Sequence, residues 1–499
     1  MKRRTFINSA LASAALVAPA GRLIAGGHDS SAVLSDISAA TLSGGETTIE
    51  RAVLNELSSS LNGRLLLPSS EGYDSARQVW NGMIQKKPAL IAQVASAQDI
   101  QNVVNVAREY QLLTSIRGGG HSIAGKALCE GGLTIDCSQM QGVSVDVENR
   151  SALVEPGVLL GGVDVATQKY GLATPAGVVS HTGAAGLTLG GGFGKLSRTH
   201  GLTSDNVRSI ELVTADGELR RTTVSENPDL FWGLRGAGAN FGVTTQFEYQ
   251  LFNVGTDFLH GGAMHNIKNA REVLEFWGEM LTKMPNEVDM SCSIIMFPNG
   301  KGFANMSGFY FGDPAEGEKQ LEPVMKFGKP MNVKFEVKKY VDLQKETDRN
   351  VPHGQQYYQK TGFFTEIGPG IAEVIGEMTQ NPKPFTQTIN FTQVGGVINE
   401  LAPDATAYPN RKAEVSMVMG GGWPKPVDEQ EAWIDMIRED WKKVKPFTSG
   451  LYNNNWMGDD ADARIHENFG SNYERLVELK NKYDPTNQFR VNANVKPTV

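Results

Sequence analysis

The sequence predicts an α+β protein whose two main parts rest on different sheets. Short apolar, strand-like runs alternate with helical-period segments between residues 86 and 255, and longer mixed segments take over after Asn253. The chain of 499 residues also exceeds what one simple core of ~100–200 residues accommodates.

The elements follow in order. Met1-Lys2-Arg3-Arg4-Thr5-Phe6-Ile7 precedes a small-residue apolar stretch, Ala10 to Ala20, too short to span a bilayer as a helix. Paired arginines, this stretch and small residues near Ala18-Pro19-Ala20 or Ala25 predict a twin-arginine export signal over residues 1–27. A periplasmic or secreted protein is therefore expected. No later segment approaches transmembrane length, so stable membrane insertion is not expected. Residues 28–85 read as a lead-in and the start of the first domain.

Residues 86–255 read as that domain. Ala89 to Val94 is strand-like, and Ile100, Val103, Val104 and Ala107 mark one face of a helix with Ser96 and Asp99 spaced as a capping box. A second strand, Leu112 to Ile116, ends in Arg117-Gly118-Gly119-Gly120-His121. Val143–Val147 with Ala152–Val154, and Ile210–Thr214 with Leu219–Val224, read as hairpins, the second turning at Asp216-Gly217. Thr244 to Leu251 is a closing strand. Residues 256–450 form a second domain, with a helix at Ala270–Leu281 and strands near Phe303–Phe311, Pro384–Thr392 and Ala413–Met419. Residues 451–499 are turn-rich, with a helix at Tyr473–Lys482.

Composition excludes several classes. Lys+Arg total 47 against Asp+Glu 55, and no basic cluster follows the first four positions. Nucleic-acid binding needs clustered cations to replace phosphate counterions, so no nucleic-acid partner is expected. Cys129, Cys137 and Cys292 have no metal-ligand spacing, and no metal is expected. Cys129 and Cys137 either pair in an oxidising compartment or stay as buried thiols.

The glycines carry the chemistry. A Walker A loop fails, because Gly194-Lys195 is followed by Leu196 and Leu189 stands at the leading glycine position. A Rossmann fingerprint fails at Gly236-Ala-Gly238-Ala-Asn-Phe-Gly242, whose last spacing is wrong. Two loops remain, Gly118-Gly119-Gly120 and Gly190-Gly191-Gly192-Phe193-Gly194. Successive glycines let neighbouring N–H groups point into one concavity suited to a pyrophosphate, and two such loops point to a dinucleotide held by loops.

From Arg117-Gly118-Gly119-Gly120-His121-Ser122 to Gly125 the chain resembles the flavin-attachment loop of the vanillyl-alcohol-oxidase superfamily, in its berberine-bridge-like branch. Glu155-Pro156-Gly157, Gly183 to Gly194, Gly201 to Asn206, Asp229 to Val243, Lys482 to Asn487 and Asn492 to Pro497 are similar to other motifs of that group. The resemblance implies a two-part PCMH-type FAD-binding domain, to which residues 451–499 return, and a substrate domain with an antiparallel sheet covered by helices. It implies FAD bonded covalently to His121 and held near Arg117, Gly118, Gly119, Gly120, Ser122, Gly125, Pro156 and Gly157. Further FAD contacts are implied at His181, Thr182, Gly183, Gly186, Leu189, Gly190, Gly191, Gly192 and Gly194, and at Asp205, Asn206, Gly242, Val243, Asn492 and Asn494. Many relatives add a second link through cysteine; the matching position here is Val179, so one link is expected.

The resemblance also implies hydride transfer from an alcohol or amine C–H of a small organic substrate, with reoxidation by O2 or another acceptor. Some relatives that react poorly with O2 carry a bulkier group at the position of Ala184, so the resemblance implies an oxidase here. A dehydrogenase using a different acceptor and a redox-inactive flavin or ligand carrier are the alternatives. In relatives a Tyr-x-Asn-aromatic motif enters the site; Tyr452 and Asn454 match, while Asn455 replaces the second aromatic. Glu414 and Tyr358 are the remaining catalytic candidates.

Overall fold

The computed structural model describes residues 35–457 and 464–499. The expected export segment, residues 1–27, lies outside the described residues.

The first sheet runs in the order Arg64–Leu66, Leu90–Gln93, Leu133–Asp136, Thr114–Arg117. Its first pair is antiparallel and the other two are parallel. Parallel strands need a crossover, and the helix Ala97–Glu109 supplies it. Ser96 caps that helix, its side chain accepting from Asp99 N at 3.1 Å. Strand Leu90–Gln93 is wholly buried, so it reads as an apolar run without alternation. The strand Thr114–Arg117 ends where Gly118 begins, which puts the first glycine loop at the carboxyl edge of parallel strands.

The second sheet is antiparallel, in the order Leu219–Thr222, Val207–Thr214, Gly242–Gln250, Ser151–Val154, Val143–Asp146. Both expected hairpins are present, and Gly217 takes φ +84° in the Asp216-Gly217 turn. A short helix, Ala184–Leu189, lies within what the sequence shows only as a glycine-rich stretch. The C-terminal helix Tyr473–Tyr483 packs into the same core, with Leu476, Leu479 and Tyr483 joining Leu230, Phe231 and Leu234.

The third sheet has seven strands, all neighbours antiparallel. Their order is Asn332–Lys339, Asp257–Asn266, Gly302–Tyr310, Val288–Met296, Gln387–Gln393, Val415–Trp423, Gln356–Phe364. Its two faces differ, as period-two alternation requires. Cys292, Ile294, Met306, Ile389, Phe391 and Met417 bury one face against the helices Ala270–Leu281, Pro314–Lys326, Pro369–Met378 and Gln430–Val444. On the other face Ser291, Ser293, Asn305, Ser307, Thr388, Asn390 and Thr392 are only half-buried. No helix among the described residues is long and apolar enough to cross a membrane.

Candidate functional site

The Gly118–Gly120 loop does not stand alone. A Cβ on Gly119 would lie 2.5 Å from Gly183 N, and one on Gly183 would lie 2.4 Å from Gly119 N. The two backbones touch, so neither position admits a side chain. Pro156 packs its carbonyl against Gly118, and a Cβ on Gly157 would strike Cys137 O at 2.1 Å. Among the described residues, the N–H groups of Gly119, Gly120, His121 and Ser122 find no acceptor. Successive outward N–H groups make an anion-binding concavity, which fits the diphosphate of FAD. Beside it opens a cavity of about 470 Å³, lined by Arg77, Trp80, Arg117, Gly119, His353 and Gln356 among others. Arg117 Nε is buried without a partner among the described residues, while its Nη1 donates to Ala76 O and lies 3.8 Å from Asp136.

His121 sits among rings. Trp80 stacks on one face, 4.4 Å between centroids and 10° from parallel, and Tyr357 stacks on Trp80 in turn at 4.2 Å. Trp80 is itself held by an indole N–H donated to Val351 O at 2.8 Å. His121 Nε2 is 3.1 Å from His181 Nδ1, and His353 lies 4.7 Å from His181 between centroids. Burial, then His181 and His353, push the His121 pKa down to about 3, so its ring is neutral at ordinary pH. Among the described residues no group of His, Cys, Asp or Glu is arranged to hold a metal ion.

The second glycine loop serves chain packing as much as ligand approach. A Cβ on Gly190 would meet Asn454 Oδ1 at 2.0 Å; on Gly191, the Tyr408 ring at 2.8 Å; on Gly192, Thr203 Oγ1 at 2.5 Å; on Gly194, Ala176 O at 2.1 Å. Gly186, in contrast, has nothing within 4 Å of such a Cβ. Leu189 is buried, and its carbonyl accepts from Gly236 N and Gly238 N. Asn454 donates to Leu187 O at 3.0 Å and to the Tyr452 hydroxyl at 2.9 Å. Tyr452 is buried against Phe193 and Phe363, and burial pushes its hydroxyl up to about 12.

Other expected site residues are placed elsewhere. Asp205 is taken up by a two-pronged ion pair with buried Arg411, 2.7 Å on each arm, and Asn206 Nδ2 donates to His200 O and Leu202 O. Both close the chain on itself. Gly242 and Val243 open a central strand, with Val213 O only 2.4 Å from a Gly242 Cβ. Ser122 Oγ accepts from Lys126 N, and Gly125 bends at φ +66° against Ile84. Thr182 bonds Val179 O and Leu160 N through its backbone. Asn492 Nδ2 donates to Ala239 O and Phe489 O, while its Oδ1 and that of Asn494 are buried without partners among the described residues.

The catalytic candidates separate. Tyr452 and Asn454 face the second glycine loop. Glu414 accepts from Asn399 Nδ2 at 2.7 Å; burial raises its carboxyl, opposed by Arg198 and that bond. Tyr358 accepts from Arg438 Nε at 3.1 Å and packs with Phe385 and Ile437 on the helix-covered side of its strand. Its neighbour Tyr357 points the other way and reaches the His121 stack. The sequence pointed to Tyr358 as a catalytic candidate and not to Tyr357, Trp80 or His353, which gather around His121. Alternation along Gln356–Phe364 was the available signal for Tyr357; no spacing in the chain links Trp80 or His353 to residue 121. All three cysteines are buried thiols outside disulfides.

A family profile described as FAD binding domain matches residues 88–223, and one described as berberine and berberine like matches residues 454–496. An FAD-linked oxidoreductase of Dictyostelium discoideum is 34% identical over 452 residues, covering 89% of this chain and 97% of that protein. The (R)-6-hydroxynicotine oxidase of Paenarthrobacter nicotinovorans is 27% identical over 469 residues, covering 88% and 97%. The crystal structure of 6-hydroxy-D-nicotine oxidase from Arthrobacter nicotinovorans superposes with a TM-score of 0.79 at 26% identity, covering 88% and 98%. Xylooligosaccharide oxidase from Myceliophthora thermophila gives 0.79 at 25%, covering 90% and 100%. With its glycine loops, its N–H cradle and these relatives along nearly its whole described length, the chain belongs to the berberine-bridge-enzyme-like FAD-linked oxidoreductases of PCMH-type fold.

Proposed function

We propose that the chain is an exported oxidase that carries FAD on His121 by a single covalent link. It oxidises an alcohol or amine C–H of a small organic substrate and passes the electrons to dioxygen. FAD, when bound, supplies the hydride acceptor. The chain's own residues bind and orient. The N–H row from Gly119 to Ser122 grips the diphosphate, and Trp80 fixes the plane of His121. Tyr452, kept protonated by burial, accepts from Asn454 and keeps its own O–H to donate to a substrate oxygen or nitrogen. Glu414, whose carboxyl burial raises, is the candidate base. A substrate that needs no base, such as a neutral amine, suits the site if Glu414 proves dispensable.

The observation that carries this reading is His121 at the mouth of an unpaired N–H row, clamped by Trp80 and neutral through burial. The similarity to 6-hydroxynicotine and xylooligosaccharide oxidases supports the oxidase class. Purified protein, acid-precipitated and washed, stays yellow with the mass of one FAD added; a colourless precipitate refutes the tether. Screening amines and alcohols for peroxide tests the acceptor, since bleaching of the flavin without peroxide assigns a dehydrogenase. Export is tested by replacing Arg3 and Arg4 with lysine, which leaves the protein in the cytoplasm if the twin-arginine route is used.

A further inference from the structure

The seven-stranded sheet ends in open backbone on one side. Strand Asn332–Lys339 pairs with Asp257–Asn266 along one edge, and among the described residues no strand pairs with the other. Tyr340 N donates to Thr256 O at 2.9 Å, which continues that ladder by one step. Hydrogen-bonded positions alternate in an antiparallel pair, so the even-numbered residues turn their backbone groups inward. Val333, Phe335 and Val337 turn theirs out. An uncovered row of this kind is a template for another strand. Its side chains are unusual for a surface: Val333 is 41% and Val337 52% exposed, and Met331, just before the strand, is 55% exposed. The two valines share the helix-covered side of the sheet with Phe335, since their partners Ala263 and Leu259 belong to its core, yet they stay open to water.

The opposite side of the strand carries charge. Lys334 Nζ lies 2.9 Å and Lys338 Nζ 3.2 Å from Glu336 Oε1. Lysines on an edge normally repel a second strand. Here a glutamate stands between them, and the order of charges decides which strand fits. Two copies placed antiparallel about a two-fold axis at Phe335 set Val333 opposite Val337 and Lys334 opposite Glu336, each pair occurring twice by symmetry. The outward backbone groups of Val333, Phe335 and Val337 then meet as hydrogen-bonded pairs. Asn332 meets Lys338, so the overlap runs nearly the length of the strand. An axis at Lys334 faces lysine with lysine. An axis at Glu336 faces glutamate with glutamate and Lys334 with Lys338.

We infer that this edge is a self-association surface, through which two copies of the chain join antiparallel, with Phe335 on the two-fold axis, into one continuous sheet. The valines and Phe335 of both copies leave water together, and the lysine–glutamate pairs exclude the neighbouring registers. An edge contact of this length is at the low end of specific interfaces, so the dimer is reversible and concentration-dependent. Its charge pairs are exposed, so salt weakens it.

The test uses full-length protein with its flavin, sedimented over a concentration series at low salt. Wild type shifts reversibly from monomer to dimer as concentration rises. Lys334→Glu and Glu336→Lys each put like charges opposite one another at both symmetric contacts and weaken dimerisation about tenfold. The two variants mixed in equal amounts pair with each other at near wild-type strength, since each supplies the charge the other lacks. Both substitutions together in one chain also restore the dimer. The Lys334 side chain is 68% and that of Glu336 40% exposed, so the fold is not at risk, and an unchanged Tm verifies this. Wild type that stays monomeric at every concentration overturns the inference and leaves the edge to a strand of a different protein. Single variants that dimerise as wild type does, or a mixture that stays monomeric, overturn it as well.

Discussion

The indole of Trp80 lies flat on the imidazole of His121, 10° from parallel. Stacked aromatic pairs are worth about 0.5–1.5 kcal/mol beyond their buried area, enough to decide a ring orientation. Trp80→Leu is therefore expected to lower the fraction of covalent flavin several-fold while reversible FAD binding persists. Trp80→Phe restores most of it. Equal covalent yields in all three proteins, measured after acid precipitation, would remove Trp80 from the account.

Gly190 and Asn454 compete for one space. A methyl group at position 190 forces Asn454 aside, because its Oδ1 would be 2.0 Å away. The displaced amide loses its bonds to Leu187 O and the Tyr452 hydroxyl, about 1 kcal/mol each. Gly190→Ala and Asn454→Ala should each reduce kcat/KM about tenfold, with the double variant no worse than either. Additive losses in steady-state kinetics would show that the two act separately.

Asp205 is expected to matter to stability more than to FAD affinity. Removing it strands the Arg411 guanidinium, which is 1% exposed, and breaking a buried pair costs about 3–5 kcal/mol. Asp205→Ala should melt many degrees lower. A variant with unchanged Tm but weakened FAD binding would return Asp205 to the cofactor site.

Acid should weaken the untethered protein. The folded pKa of His121 is about 3 and its unfolded value about 6.5, so between these the unfolded chain binds the extra proton. Stability is full above pH 6.5 and falls toward pH 3, by at most about 1.4 kcal/mol per unit from this group. His181 and His353 are shifted the same way, chiefly by burial. Denaturant titrations should show a shallower pH slope for His121→Gln. An unchanged slope would place the acid sensitivity in other groups.

Tyr358→Phe should leave substrate turnover intact, since its hydroxyl serves Arg438 on the far side of the sheet. Glu414→Gln should cut turnover by ~10²-fold with flavin content unchanged if this carboxyl is the base. Full activity in Glu414→Gln supports a substrate oxidised as a neutral amine.

Parts of the fold and some residues gathered near His121 were legible in the sequence. The two glycine loops stand in local sequence, His121, Tyr452 and Asn454 were singled out by the family resemblance, and the Ser96-capped helix and both hairpins follow from periodicity and turn residues. Other parts are set by the third dimension. Trp80, His181 and His353 converge from three distant segments, and no periodicity reports that. Tyr357 and Tyr358 are adjacent, so only the pleat, known once the helix-covered face is known, tells which one stacks on Trp80. The glycines of residues 190–194 read as ligand approach, yet each also makes room for Asn454, Tyr408, Thr203 or Ala176.

The seven-stranded sheet is sealed by four helices on one side and carries half-buried serine, threonine and asparagine on the other. Exchanging a hydroxyl or amide there disturbs no apolar packing, because the methionines and isoleucines behind it alternate out of reach. Such a surface can change in small steps at little thermodynamic risk. Tolerance to multiple substitutions at Ser293, Asn305, Thr388 and Asn390 should therefore far exceed that of Cys292, Met306, Ile389 and Phe391.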